Sequence, residues 1–192
     1  MSNIFITATN WTDQSEIATA RLGTRFGRMD LSSQLALLAV EPLAEHFKAL
    51  PADRIALVIN TRTGSLSTDV AYWAGHDLAG GLSPTLFIYT LPSSTIGELA
   101  IRHKITGPSL CQVGEGRDLI GASADLLQAD EADAVICVDV EVISAALAAL
   151  IKLPEVATAR ALLLQRNGPG EREWSQNDRD INQVFATLRE QI

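Results

Sequence analysis

Residues 91–121 read LPSSTIGELAIRHKITGPSLCQVGEGRDLIG, and this stretch carries most of the signals from which the fold can be predicted. Its first part predicts an amphipathic helix, because apolar residues recur there at helical spacing. The apolar face holds Ile96, Leu99, Ala100 and Ile101, and the opposite face holds Glu98, Arg102 and Lys104. Gly107 and Pro108 end this helix, and the mostly apolar residues 109–113 predict a short strand.

The glycine-rich turn at 114–116 leads into a second predicted helix, whose apolar residues are Leu119, Ile120, Leu126 and Leu127. The first turn of a helix has unpaired N–H groups and the positive end of the helix dipole, so it can bind an oxyanion. A tight turn with no function explains the same glycines. We call residues 113–118 the elbow.

The regions on either side of this stretch predict alternating strands and helices. Residues 3–9 predict the first strand of a βαβ series, followed by an irregular segment over 11–27. Asp30 is a suitable N-cap for a long amphipathic helix with a kink at Pro42. Further elements are predicted as strands at 55–59, 134–140 and 161–165, a helix over 144–153 and a last helix over about 174–192.

The strands at 55–59 and 134–140 are continuous apolar runs, which is typical of strands covered on both faces in a parallel sheet. The sequence therefore predicts one α/β domain over 1–192, with a mixed, mostly parallel sheet and helices on both faces. Asp139 and Glu141 alternate with valines, which predicts solvent-facing side chains near a strand end. A Thr- and Arg-rich turn that includes Thr61 and Thr63 is a candidate phosphate-binding turn.

Composition excludes several classes of partner. The formal net charge of −8 and the isoelectric point near 4.8 argue against nucleic acid and anionic membranes. Cys111 and Cys137 both lie in apolar runs, which predicts a reducing compartment with neither disulfide nor metal site. No apolar run is long enough to span a bilayer and no signal peptide is recognisable, so we expect a cytoplasmic protein without membrane insertion.

Several segments together resemble the β-ketoacyl-acyl-carrier-protein synthases of the thiolase-like superfamily. The matching pieces are Pro92, then GELAIRH over 97–103, TGPS over 106–109 and the pair Ile120-Gly121. Three other segments also resemble the family: RMD at 28–30, RIALVINTRTGSL at 54–66 and EADAVICVDVEV at 131–142. The resemblance covers roughly residues 28–165, which corresponds to the N-terminal half of such an enzyme.

The resemblance implies a three-layer, thiolase-like half. In the whole enzyme the central helices are buried between two sheets, so a single half must either adapt that layer to water or have it covered by a second chain. The family's strand that corresponds to 109–113 pairs across a dimer. We therefore expect an interface at Ser109, Leu110, Cys111, Gln112 and Val113, with either a full-length ketosynthase or a second copy of this chain.

The chain departs from the family at its catalytic residues. The nucleophilic cysteine of the family corresponds here to Val113 or to Gly116, depending on where the gap is placed. Cys111 lies within the predicted strand, so we expect a packed core thiol rather than a nucleophile. The family's second catalytic pair belongs to the C-terminal half, and we expect the histidines of this chain, His46, His76 and His103, to be solvated or capping side chains.

The resemblance implies a non-condensing, chain-length-factor-like subunit of a type II fatty-acid or polyketide pathway, without a cofactor. Candidate residues for binding the acyl chain or the acyl carrier protein are Thr61, Thr63, Leu91, Ser93, Ser94 and Ile96. One alternative is an enzyme acting on thioesters, a decarboxylase or hydrolase, with Glu115 as base and the helix N-terminus as oxyanion hole. Another is a non-catalytic domain that binds carrier protein or an acyl group.

Overall fold

The computed structural model describes residues 3–76, 81–168, 170 and 172–189, and of 188 and 189 only the backbone. Its strands are β1 (Ile4–Asp13), β2 (Ile55–Thr61), β3 (Ser109–Val113), β4 (Ala134–Ile143), β5 (Val156–Arg166) and β6 (Arg172–Glu173). Its helices are α1 (Leu31–Val40), α2 (Ala44–Phe47), α3 (Leu66–Ala74), α4 (Pro84–Phe87), α5 (Ser94–His103), α6 (Leu119–Gln128), α7 (Ala145–Ile151) and α8 (Ile181–Arg189).

The six strands form one mixed sheet in the order β3-β2-β4-β5-β1-β6. β2 pairs in parallel with both β3 and β4, whereas β4 with β5, β5 with β1, and β1 with β6 are antiparallel pairs. Every residue of β2 is buried, as its continuous apolar run predicts. The predicted mixed α/β sheet is confirmed, with its parallel part at β3-β2-β4.

Helices cover both faces of the sheet. Alternate residues of β2 supply the two cores, since successive side chains of a strand point to opposite faces. Ile55, Leu57 and Ile59 pack with α1 and α5, whereas Ala56 and Val58 pack with α6 and α8.

The long N-terminal helix has the cap and the kink that the sequence predicts. The Asp30 carboxylate accepts a hydrogen bond from the Ser33 N–H at 3.0 Å, which satisfies one free donor of the first turn. At Pro42, which has no N–H to donate, α1 gives way to a 3₁₀ turn, Glu41–Leu43, before α2 begins.

Three predicted features differ from the structure. β1 is antiparallel to β5 rather than the start of a βαβ unit, and it continues to Asp13 through residues predicted as a loop, including Trp11. Pairing with the long β5 supplies partners for these polar residues, so the ladder extends past the apolar segment. β5 itself begins at Val156 rather than at 161, and α8 begins at Ile181 rather than at about 174.

The buried face of α5 also differs from the prediction. Glu98 is 5% exposed, although its spacing predicts the polar side, and Ile101 is 61% exposed. The Glu98 carboxylate is satisfied by Arg25, whose Nε and Nη2 lie 2.8 and 3.0 Å from it, and by the Tyr89 hydroxyl at 3.0 Å. A buried carboxylate with three donors replaces the apolar contact that periodicity alone predicts.

Candidate functional site

The candidate site lies where β2 and β4 end beside the elbow. In open α/β sheets, ligands bind in the crevice at the carboxyl ends of parallel strands. A pocket of about 200 Å³ lies there, and its charged and amide side chains include Asn60, Arg62, Glu115, Asp139, Glu141 and Arg160. Within the described residues, no group of three or more His, Cys, Asp or Glu side chains could hold a metal ion.

Gly116 is closely confined. Its φ is +69°, a backbone conformation that favours glycine. A Cβ at this position would lie 2.8 Å from Asn60 Nδ2 and 3.5 Å from Asp139 Oδ1. A cysteine at this position would therefore displace the Asn60 amide and hold a strained backbone, because two polar side chains lie next to the backbone.

Asn60 and Asp139 form a hydrogen-bonded pair beneath the elbow. Asn60 is 2% exposed, and its Nδ2 donates to Asp139 Oδ1 at 2.8 Å and to the Gly114 carbonyl at 3.2 Å. Burial raises the pKa of Asp139, although the hydrogen bond from Asn60 acts in the opposite direction. Asp139 is half-buried where it lines the pocket, so it is less exposed to solvent than its alternation with valines predicts.

Glu141 connects the end of β4 to the turn after β2. It accepts hydrogen bonds from the Arg62 N–H at 2.6 Å and from the Thr63 hydroxyl. The Thr- and Arg-rich turn therefore binds a carboxylate of its own chain.

The N-terminus of α6 is covered by the segment that precedes α8. The Ile120 N–H donates to the Arg179 carbonyl at 3.4 Å, and the Leu119 N–H donates to the Gly116 carbonyl at 3.3 Å. The Arg179 guanidinium also pairs with Asp118 at 2.5 Å, and a Cβ on Gly121 would collide with the Asp118 carboxylate. These contacts occupy the place where an oxyanion would bind.

The other residues proposed for catalysis lie on β3 and in the elbow. Glu115 is exposed at the pocket rim, without a hydrogen-bond or ion-pair partner among the described residues. Val113 ends β3 with 61% of its surface exposed. Cys111 is half-buried on this edge strand rather than in either core as predicted, and burial raises the pKa of its thiol. Cys137 is fully buried beside Ser123, and burial raises its pKa to about 12.

The three histidines occupy three different environments. His46 is exposed, as expected, and His76 stacks on Trp73 with ring centroids 5.2 Å apart, whereas the neighbouring Asp77 lies outside the described residues. His103 differs from the expectation of a solvated side chain, because it is 8% exposed and packs edge-on against Phe47. Burial lowers its pKa, so the ring is neutral at physiological pH. None of the three lines the pocket.

The candidate acyl- or carrier-binding residues are only partly brought together. Thr61 and Leu91 line a narrow cavity of about 10 Å³ between the turn after β2 and the start of α5. The Ser94 hydroxyl donates to the Ile88 carbonyl at 2.6 Å, and Ile96 packs against the core beneath α1. Ser93 is exposed just before α5. Their role in binding stays a prediction.

An exposed apolar surface extends from the β3 edge of the sheet. We call it the apolar flank, and it consists of Trp73, Phe87, Ile88, Leu91, Leu110 and Val113, whose exposed fractions range from 42% to 68%. Phe87 contacts Tyr72 of α3, and both Pro92 and Val113 lie next to Gly64. Leu110 and Val113 point to opposite faces of the sheet, because they are three residues apart on β3. Sequence periodicity did not identify Trp73, Phe87 or Ile88, since short helices give too few residues for a pattern.

Comparison with known proteins identifies solved structures that have a similar fold. No protein-family model and no curated protein matches the chain. Among solved structures, the ishigamide ketosynthase/chain length factor superposes with a TM-score of 0.70 at 17% identity, over 88% of this chain and 64% of that one. The ketosynthase ApeO in complex with its chain length factor ApeC, from Xenorhabdus doucetiae, matches with a TM-score of 0.65 at 20% identity, over 88% and 81%.

A third match is AntDE:AntF, described as a type II polyketide synthase acyl-carrier protein in complex with its ketosynthase bound to the hexaketide. It superposes with a TM-score of 0.66 at 14% identity, over 86% of this chain and 63% of that one. This chain thus spans less than two thirds of the matched chain in two of the three structures. The chain has the fold of these ketosynthase and chain-length-factor structures.

Proposed function

We propose that this chain is a non-condensing, ketosynthase-like accessory subunit, similar to a chain length factor, that pairs with a full-length ketosynthase. The observation that carries the proposal is the elbow, where neither candidate position for the nucleophile holds a cysteine and Gly116 lies against the Asn60–Asp139 pair. The fold is that of a ketosynthase, yet polar groups of this chain lie against Gly116, one of the two positions that correspond to the nucleophile. The neighbours in solved structures, which include ketosynthases with their chain length factors, support the same assignment.

The surface proposed for the ketosynthase is β3 together with the apolar flank. β3 is an edge strand with one neighbour, β2, so its outer N–H and C=O groups are free to pair with a strand of another chain. Leu110 and Val113 on this strand are 42% and 61% exposed. An unpaired edge strand that carries exposed apolar side chains is typical of a protein interface.

The remaining parts of the proposal follow from this pairing. The pathway is of type II, in which the subunits are separate chains, and the type II polyketide neighbour favours polyketide over fatty-acid synthesis. Leu91 and Thr61, beside the narrow cavity, are the residues proposed to limit the acyl chain. Acyl carrier protein would reach this chain through the ketosynthase, since an acidic chain with a net charge of −8 attracts an acidic carrier poorly. A cytoplasmic location is part of the proposal.

The geometry does not favour thioester hydrolysis or decarboxylation at Glu115. A general base needs a substrate position within hydrogen-bond reach and stabilisation for the developing oxyanion. Glu115 is exposed, and the first turn of α6 is covered by Arg179 and Asp118. A second copy of this chain is the alternative partner for the β3 edge. The experiment below distinguishes this homodimer from the complex with a ketosynthase.

The test uses Val113→Lys, which places a charge on the proposed interface. The matched control is Ile101→Lys on α5, because Ile101 has the same exposed fraction of 61% and lies outside the apolar flank. Each variant is co-expressed with a full-length ketosynthase of the same organism. We expect Val113→Lys to weaken the complex at least about tenfold, since a buried unpaired charge disrupts an apolar interface, and Ile101→Lys to bind as wild type does. Equal binding by all three proteins would contradict the proposal, as would a homodimer that excludes the ketosynthase.

A further inference from the structure

The sheet face that carries α6 is also covered by α8. Ile181, Val184 and Phe185 of α8 are 0%, 1% and 8% exposed, and they belong to the same core as Leu119 and Leu127 of α6. α8 therefore shields apolar surface that α6 alone leaves uncovered.

The segment between the sheet and α8, residues 172–180, is fixed at both ends, and we call it the C-terminal strap. At its start, β6 pairs with β1, and the Trp174 N–H donates to the Ile4 carbonyl at 2.7 Å. Near its end, the Arg179 carbonyl accepts a hydrogen bond from the Ile120 N–H, and the Arg179 guanidinium pairs with Asp118. The strap thus connects the far edge of the sheet to the N-terminus of α6.

The outer surface of this layer is polar. Asp125 and Gln128 of α6 and Asn182 and Gln183 of α8 are exposed. Among the described residues, α6, α8 and the strap carry no large apolar side chain that is exposed to solvent. The apolar flank carries six. A surface that stacks against a second sheet would instead be apolar.

We infer that the C-terminal strap and α8 cover, within this chain, the face of the sheet that carries α6, so that the α6–α8 face is closed to a stacked partner and a ketosynthase binds at the β3 edge and the apolar flank instead. The identity of the partner at the β3 edge as a ketosynthase rests on the proposed function. The closure of the α6–α8 face does not rest on the proposed function, because it follows from contacts within this chain.

Hydrogen–deuterium exchange tests the closed face on the isolated full chain. We expect the amides of α8 and of Ile120 to exchange more than about 100-fold more slowly than in an unstructured peptide, because docked helices exchange only through opening. Val184→Asp is expected to remove this protection at α8 and Ile120 together, and Gln183→Asp, its exposed neighbour, to preserve it. Unprotected α8 amides in the wild-type chain would overturn the inference. It would also be overturned if Val184→Asp removed the protection of α8 and left that of Ile120 unchanged.

The second arm adds the full-length ketosynthase to the wild-type chain. We expect slower exchange at β3 and around Trp73 and Phe87, and unchanged exchange at Asp125, Gln128 and Gln183. New protection on the α6–α8 face would overturn the inference even if the ketosynthase binds. If the ketosynthase does not bind, the proposed function fails, while the first arm still decides whether the face is closed.

Discussion

At the scale of single residues, Gly116 decides what the elbow can do. Its φ is positive, and a Cβ on this residue would lie only 2.8 Å from Asn60 Nδ2, so the site leaves room for hydrogen alone. We predict that Gly116→Ala lowers the free energy of unfolding by about 2–3 kcal/mol, through backbone strain and displacement of the Asn60–Asp139 pair. Urea denaturation measures the change.

The control for Gly116→Ala is Gly97→Ala. Gly97 is an exposed position inside α5 with nothing near its Cβ position, so alanine is expected to stabilise the helix by up to about 1 kcal/mol. If Gly116→Ala behaved in the same way, the elbow would have space for a side chain, and the argument against a nucleophile at this position would fail.

Glu98 joins α5 to Arg25, 73 residues away, and to Tyr89, nine residues away. Glu98→Gln retains the shape but removes the charge that Arg25 and Tyr89 contact. We predict a loss of about 1–3 kcal/mol, limited by the 60% exposure of the Arg25 side chain. The exposed pair Glu45–Lys48 provides the control, because Glu45→Gln is expected to cost less than about 0.5 kcal/mol.

Tyr89 provides a second readout of the same variant. Burial raises its pKa to about 12, and the hydrogen bond to Glu98 contributes further. The chain has two tyrosines, so their ultraviolet titration can be followed. We expect the pKa of Tyr89 to fall in Glu98→Gln, and an unchanged titration would show that Glu98 does not act on the phenol.

At the scale of elements, four charged side chains join β2, β4 and β5. Arg54 and Arg166 both donate to Asp130 and Asp133, and the hydrogen bonds from Arg54 and then Arg166 lower the pKa of Asp133 from 3.8 to about 2. Because the folded chain holds this proton less tightly than the unfolded chain, the stabilisation is present above about pH 4 and is lost as the pH falls towards 2.

The ionisation of Asp139 affects the stability of the fold in the opposite direction, because burial raises the pKa of this residue. Its ionisation costs stability once the pH rises above its ordinary pKa. We predict that Asp133→Asn lowers stability at pH 7 and flattens the acid side of the stability curve between pH 4 and 2, whereas Asp139→Asn raises stability at pH 7. Thermal unfolding from pH 2 to 7 measures both, and parallel curves for the two variants would contradict the prediction.

The sequence correctly predicts those features that depend on residues close to one another in the chain. The apolar runs of β2 and β4 and the cap at Asp30 depend on residues close in sequence, and the structure confirms all three. The burial of Glu98 depends on Arg25, 73 residues away, and local spacing contains no signal for such a partner. Likewise, the place of Asp139 under the elbow depends on Asn60 from a neighbouring strand, so only the structure reveals this pair.

At the scale of the whole molecule, one face of the sheet is covered by the chain's own strap and α8, and the β3 edge is uncovered. The strap and α8 present a polar exterior over α6, while the β3 edge carries exposed apolar side chains. A chain with this distribution is expected to associate through the β3 edge rather than through the α6–α8 face. The fold and the elbow without a cysteine support the proposed role as a partner of a condensing enzyme.

The measurement that decides this is the native mass of the complex formed when the tagged wild-type chain is purified from cells of its own organism. We predict a stable one-to-one complex with a full-length ketosynthase that carries its own nucleophilic cysteine. Condensing activity should depend on that cysteine and should be unaffected when Cys111 of this chain is replaced by Ser. A monomer or homodimer without any ketosynthase would contradict the proposed function.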